Sequence, residues 1–344
     1  MKGSIVITGG GTGGHLKVAK EFVEEFHSRG HNPIFIGSKN GQDKAWFARD
    51  FHLKKAIFLD TKGVVNKNFL GKVKSLWQIF KEMQKCMELF DKMDVKTVVS
   101  VGGFSAAPAT FAAILTSGCN LYIHEQNSYM GRLNRLTSRF ATALFSSYDS
   151  RSVVRDYPVN AEFFDNGRLR DDVKTIIFLG GSQGARAIND FALSVAHDLK
   201  LRGIKIIHQT GKNDFERVQS EYDKLGMEVD VFDFTDDISK KMSKADFAVS
   251  RAGASTLWEL AANSLPTLFV PYPYAAGDHQ YYNAQFLFNK KLCFISRENE
   301  LTGKKLRECL KADLKEISLG LAKSISFGAT KTMVDFISYK NEKQ

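Results

Sequence analysis

Short apolar runs alternate along the chain with longer stretches whose apolar residues return at helical spacing. In the first half the runs are 4–8, Pro33–Ile36, Ala56–Leu59, Thr97–Val101, Leu121–His124 and Ala143–Ser146. In the second half they are Thr175–Leu179, Lys205–His208, Glu228–Phe232, Phe247–Ser250, Thr267–Val270 and Cys293–Ile295. Apolar runs this short, separated by helices, predict parallel strands covered on both faces. Each half holds enough strands for its own doubly wound sheet, so the predicted fold class is α/β with two such domains.

The alternation breaks between Pro158 and Asp172. This stretch is polar, holds Asn166-Gly167 and sets Arg168 and Arg170 beside Asp171 and Asp172. It is the expected interdomain linker, about residues 158–172. In the tail from Phe327 to Tyr339, Met333, Phe336 and Ile337 suit a short amphipathic helix.

Where strands end, glycine follows. Ser4–Thr8 runs into GGGTGGH (9–15), and Ile176–Leu179 runs into GGSQGAR (180–186). A buried strand, a glycine turn and a helix start bind phosphate in α/β proteins, because the backbone approaches closely and unpaired N–H groups face the anion. Two such units in one chain suggest two similar domains facing a shared cleft. Gly9, Gly11 and Gly14 satisfy G-x-G-x-x-G, but the second strand ends Ile36-Gly37-Ser38-Lys39 without the acid that would hold a dinucleotide ribose. No nicotinamide, flavin or other cofactor is expected. His15 stands where the first helix begins. It is either a locally bonded helix-start residue or a base at the mouth of the cleft.

Further polar clusters follow other strands. Val101-Gly102-Gly103-Phe104-Ser105 precedes Pro108, and His124-Glu125-Gln126-Asn127 ends a strand. Ser250-Arg251-Ala252-Gly253-Ala254-Ser255-Thr256 offers backbone amides to a phosphate, and Glu259 one turn later can accept two hydrogen bonds from a ribose diol. Asp278-His279-Gln280 and Asn283-Ala284 follow Val270-Pro271-Tyr272-Pro273, with side chains suited to sugar hydroxyls.

Charge narrows the partners. The 344 residues carry a formal net charge of +10, favouring phosphorylated ligands, nucleic acid or an anionic membrane. No nucleic-acid motif occurs, so nucleic acid is not expected. Cys86, Cys119, Cys293 and Cys309 lack CxxC spacing, so neither a metal site nor a redox motif is expected, and a reducing cytoplasm is. The chain starts on a core strand, so no signal peptide is expected. No apolar run reaches the ~18 residues of a membrane span. Between Asp60 and Glu82, however, lie five lysines (62, 67, 72, 74, 81) and no acid. Phe69, Val73, Leu76, Phe80, Met83 and Met87 repeat there at helical spacing, and Leu70, Trp77 and Ile79 widen the apolar face. Either this is a core helix with a lysine rim, or its extra apolar residues dip into a bilayer while Lys67, Lys72 and Lys74 meet anionic head groups.

Taken in order, GGGTGGH (9–15), VGGF (101–104), HEQNS (124–128), GGSQGAR (180–186), RAGAST…E (251–259) and DHQ…NA (278–284) resemble, nearly end to end, the MurG family. These bacterial transferases add N-acetylglucosamine to the lipid-linked muramyl-pentapeptide precursor of peptidoglycan. The resemblance implies a GT-B fold with two Rossmann-like domains and a final helix returning to the first. The expected boundaries are then 1–160 with 327–344 for the acceptor and membrane-side domain, and 171–326 for the donor domain. Two departures stand out. Met130 replaces the usual proline, and the family's GNPVR linker motif reads Asn166-Gly167-Arg168-Leu169-Arg170, leaving Arg170 as the positional match.

The implied donor is UDP-N-acetylglucosamine, and the linkage inverts from α to β. For the base that takes the muramyl 4-hydroxyl proton His15 is preferred over Glu125, the other catalytic candidate, which better suits positioning or steering His15. Donor contacts implied by resemblance are Ser182, Gln183, Ala254, Ser255, Thr256, Glu259, His279 and Gln280, with Asn127 reaching the sugar from the first domain. Thr12, Gly13, Gly14, Arg170, Gly184 and Gly253 complete that set. The expected location is the cytoplasmic face of the bacterial plasma membrane, held peripherally. The alternatives are transfer to another lipid acceptor such as diacylglycerol, a GT-B UDP-sugar 2-epimerase, and a nucleotide-binding regulatory module.

Overall fold

The computed structural model describes residues 3–61, 63, 69–181 and 184–343, without the side chains of Phe69, Leu70 and Lys72. Twelve strands occur among them: β1 Ser4–Thr8, β2 Ile34–Ser38, β3 Lys55–Leu59, β4 Val95–Ser100, β5 Asn120–His124, β6 Ala143–Phe145, β7 Thr175–Leu179, β8 Lys205–Gln209, β9 Asp230–Phe232, β10 Phe247–Ser250, β11 Thr267–Phe269 and β12 Phe294–Ile295. The helices of the first half are α1 Gly13–Ser28, α2 Asp43–Phe47, α3 Phe69–Lys92, α4 Ala107–Leu115 and α5 Arg132–Thr137. Those of the second half are α6 Ala161–Asp165, α7 Arg186–Leu201, α8 Phe215–Lys224, α9 Ile238–Lys244, α10 Ala254–Ala262, α11 His279–Phe288, α12 Gly303–Cys309, α13 Leu314–Ala322 and α14 Ala329–Glu342.

The strands form two six-stranded sheets, ordered β3-β2-β1-β4-β5-β6 and β12-β11-β10-β7-β8-β9. Every pairing is parallel. Counted from its own first strand, each sheet has the order 3-2-1-4-5-6, the doubly wound arrangement in which ligands bind beyond the C-terminal strand ends. Both sheets are buried because Val6, Ile7, Val98, Ile123, Ile177, Phe178 and Val249 have no path to water.

The chain divides into two compact units, residues 1–158 with 328–344, and residues 159–327. The stretch 158–172, expected as the interdomain linker, groups from Val159 onward with the second unit. It forms α6, and Arg168 pairs with Asp246 at 2.5 Å. Arg170 is 1% exposed. The tail helix α14 packs in the first unit. Met333, Val334 and Ile337 are fully buried, and Arg29 donates to Asp335 at 2.6 Å. Asn341 closes its end by accepting from Asn120 Nδ2 at 2.9 Å and Tyr122 Oη at 3.0 Å. Each buried apolar side chain of this kind contributes roughly 1.5–3 kcal/mol.

Candidate active site

In the first unit the loops after β1, β4 and β5 lie side by side, because those strands are neighbours in the sheet. The first two loops touch through backbone. Gly10 N donates to Gly102 O at 3.2 Å, and a Cβ on Gly103 (φ +84°) would lie 2.2 Å from Gly10 O. Only glycine fits there. The loop after β1 is also held from β2. Asp43, fully buried, accepts from Gly11 N at 2.7 Å and Ser38 N at 2.8 Å. Asp43 follows the second strand by several residues and carries no phosphate signature in its local sequence. It occupies the place of a ribose-binding acid, yet it faces backbone.

That loop delivers Thr12, Gly13, Gly14 and His15 to the start of α1. Thr12 Oγ1 lies 2.7 Å from His15 Nδ1, and the Nε2 side faces the Gly102 turn. His15 is half-buried. Beneath it His124 is fully buried, edge-on to Phe22 and Tyr157. Neither of its ring nitrogens has a hydrogen-bond partner. Burial, and then the nearby His15, push its pKa down to about 3.

Glu125 is 3% exposed. Its carboxylate accepts from Asn127 N, Gly131 N and Asn134 Nδ2, each at 2.9 Å. Burial nevertheless raises its pKa, outweighing those donors, which favour the charged form. Both oxygens are thus engaged by the turn that runs into α5, an arrangement suited to holding that loop. A polar recess of about 210 Å³ opens beside it, lined by Asn127, Ser128, Ser146, Tyr148 and Asp149 among others.

In the second unit β7, β10 and β11 are adjacent, so their loops also gather at one sheet edge. Gly184 (φ +78°) presses against Thr210 O, where a Cβ would sit at 2.5 Å. Ser182 and Gln183 lie outside the described residues. Gly253 caps α10, which brings Ala254, Ser255 and Thr256 to its first turn and Glu259 one turn on. Glu259 is 5% exposed. At the start of α11, His279 Nδ1 lies 3.0 Å from Ala276 O, and Gln280 Oε1 accepts from Tyr272 N at 3.0 Å. Asn283 holds this helix to the β10 loop by donating to Ala252 O at 3.3 Å.

Arg170 does not join that group. Its guanidinium donates to the carbonyls of Arg168, Asn263, Ala245 and Met242 and to Asn263 Oδ1. Burial, and then Arg168, pull its pKa down to about 9. Every donor is occupied inside the protein, so the donor-binding expectation gives way to a structural role behind α10.

The lysine-rich helix α3 divides along its length. Met83, Cys86 and Phe90 are buried in the core with α4, whereas Val73, Leu76, Trp77 and Phe80 are exposed, Trp77 by 65%. Lys74 is exposed beside them, and Lys67 lies outside the described residues. Among the described residues no helix is long and apolar enough to cross a membrane, and no cluster of His, Cys, Asp and Glu is arranged to hold a metal.

Two six-stranded parallel sheets of one order, with glycine turns at the strand ends, define the GT-B architecture. Residues 5–146 match the glycosyltransferase family 28 N-terminal domain and residues 175–337 its C-terminal domain. A relative from Wolinella succinogenes, a UDP-N-acetylglucosamine--N-acetylmuramyl-(pentapeptide) pyrophosphoryl-undecaprenol N-acetylglucosamine transferase, is 49% identical over 97% of this chain and 99% of its own. The protein of the same name from Sulfurovum sp. is 49% identical over 97% and 98%. The crystal structure of Acinetobacter baumannii MurG matches with a TM-score of 0.81 at 26% identity, over 98% of this chain and 99% of that one. A putative UDP-N-acetylglucosamine 2-epimerase from Listeria monocytogenes matches at 0.65 with 13% identity, a likeness of fold alone. The chain belongs to the family of MurG-type N-acetylglucosamine transferases, and it is a hexosyltransferase.

Proposed function

We propose that the chain moves N-acetylglucosamine from UDP-N-acetylglucosamine to the 4-hydroxyl of the muramyl sugar in undecaprenyl-pyrophosphoryl-muramyl-pentapeptide, with inversion, in peptidoglycan synthesis. The observation that carries this is identity of nearly one residue in two along almost the whole chain to transferases of that name. That membership sets aside the epimerase and regulatory alternatives.

Inversion requires the acceptor oxygen to attack as the diphosphate leaves. A base must take the hydroxyl proton, an effect worth ~10²–10⁴-fold. His15 serves through Nε2 when its Nδ1–H donates to Thr12 Oγ1, which fixes both ring and tautomer. Glu125 holds the loop that carries Asn127 toward the sugar. Charge growing on the diphosphate meets the amides of the Gly253–Thr256 turn and of the turn ending at Gly184. Glu259 accepts from the ribose diol, and His279 and Gln280 complete the donor set. The acidic partners implied by the net charge are this donor, the lipid diphosphate and an anionic bilayer surface, not nucleic acid. The exposed Val73–Phe80 face with its lysines supports peripheral attachment at the cytoplasmic face, where the acceptor lipid resides.

The test is UDP release by purified protein supplied with the donor and, separately, lipid-linked muramyl-pentapeptide, diacylglycerol or no acceptor. Release with the muramyl lipid alone is expected. Equal release with diacylglycerol would overturn the acceptor assignment.

A further inference from the structure

We infer that Arg297 and Glu298 form a charged staple that aligns the two donor loops of the second unit, with Arg297 as a positioning residue for donor binding. This rests on the donor-site reading above. The two residues follow β12, and Arg297 has extended backbone (φ −71°, ψ 156°). Glu298 opens a short 3-10 turn, and the two neighbouring side chains reach different loops.

Arg297 turns to the loop after β11. Its Nη1 and Nη2 donate to Asp278 Oδ1 at 2.9 Å and Oδ2 at 2.6 Å, a two-point geometry open to arginine and not to lysine. Its guanidinium also lies 4.0 Å over the Tyr281 ring. Asp278 needs such a hold. It sits at φ +54°, ψ 29°, a left-handed conformation disfavoured for residues with a Cβ, directly before His279 and Gln280. Glu298 turns to the loop after β10, accepting from Arg251 Nη2 at 2.5 Å. Arg251 in turn donates to Val270 O at 3.0 Å, tying the two loops to each other.

The staple holds two cations and two anions, so each guanidinium already has its carboxylate. It therefore acts by fixing the spacing between the Gly253–Thr256 turn and the His279–Gln280 pair, and not by binding the diphosphate. Holding loops in their bound geometry raises affinity by reducing the ordering that binding would otherwise require. Both sides of the Arg297–Asp278 pair are 34% exposed, so its contribution to fold stability is small, and its effect shows in donor binding.

The test compares Arg297→Ala, Arg297→Lys, Asp278→Asn and the Arg297→Ala/Asp278→Asn double variant in the full chain. UDP affinity comes from calorimetry, donor KM and kcat from acceptor-dependent UDP release, and folding from thermal melting. Asparagine tolerates the left-handed conformation, so Asp278→Asn removes charge while sparing the backbone. Arg297→Ala and Asp278→Asn should each weaken UDP binding and raise donor KM by about fivefold to tenfold, with kcat at saturating donor nearly retained. The double variant should be no worse than either single, and Arg297→Lys should recover part of the loss. A direct contact between Arg297 and the donor predicts the reverse for Asp278→Asn, which would free the guanidinium and tighten UDP binding. That result, additive losses, or unchanged UDP affinity would overturn the staple. Glu259→Ala, measured alongside, separates the two layers. If it loses UDP affinity while Arg297→Ala does not, only the staple fails; if it too is unchanged, the donor site lies elsewhere.

Discussion

His124→Phe should make the first unit resist acid. The imidazole is fully buried between Phe22 and Tyr157 with both nitrogens unpartnered, and its pKa falls from 6.5 to about 3. A histidine held neutral in the folded chain stabilises it fully above the unfolded pKa. That contribution is lost as pH drops from 6.5 toward about 3, because only the unfolded chain takes up the proton. Near pH 5 the unfolded side chain is almost wholly protonated and the folded one is not. The difference of about 1.5 pH units below the unfolded pKa, at about 1.4 kcal/mol each, is a penalty of about 2 kcal/mol. Phenylalanine keeps the ring packing and removes the proton and the two orphaned nitrogens. Urea unfolding of parent and variant, near pH 7.5 and near pH 5, isolates the effect. Other groups, including His208, which is buried and also held down to about 3, cancel in the comparison. Near pH 7.5 the variant should lie within about 1 kcal/mol of the parent. Near pH 5 the parent should have lost about 2 kcal/mol more than the variant. Equal losses would show that His124 is protonated in the folded protein and that the burial argument is wrong.

Glu259→Ala should weaken UDP binding by roughly tenfold or more, since charge-assisted bonds to the ribose diol are worth ~1.5–3 kcal/mol; unchanged calorimetric affinity would remove the residue from the site. His15→Ala should lower turnover by at least ~10²-fold while UDP affinity holds, and a loss of less than a few-fold would place the base elsewhere. Binding to anionic vesicles should weaken with salt without vanishing, because Trp77 inserts whereas the lysines are screened. Lys72→Glu with Lys74→Glu should reduce it strongly, and equal sedimentation with neutral vesicles would refute the assignment.

Much of the fold is legible in the chain because each strand is buried on both faces and writes a continuous apolar run. All twelve runs coincide with strands, even Phe294–Ile295 at a sheet edge. The glycine turns are legible for a steric reason. At Gly103 and Gly184 a Cβ would strike a carbonyl, so the residue type announces the close approach. Less visible are residues whose role depends on distant backbone. Asp43 reaches back to Gly11, Arg170 is enclosed by carbonyls from α9 and α10, and Glu125 faces the N–H groups of its own loop. Nothing in local spacing separates such a side chain from one awaiting a ligand. The same ambiguity hid the division of α3, whose period of apolar residues is continuous although Met83, Cys86 and Phe90 are buried while Val73, Leu76, Trp77 and Phe80 are exposed.

The most direct test is the anomeric configuration of the sugar transferred to lipid-linked muramyl-pentapeptide, read from the proton coupling of the isolated product. Direct displacement from an α-linked donor predicts N-acetylglucosamine β-linked to the muramyl 4-oxygen, formed with one UDP per linkage. An α-linked product, or consumption of donor without a new glycosidic bond, would contradict it.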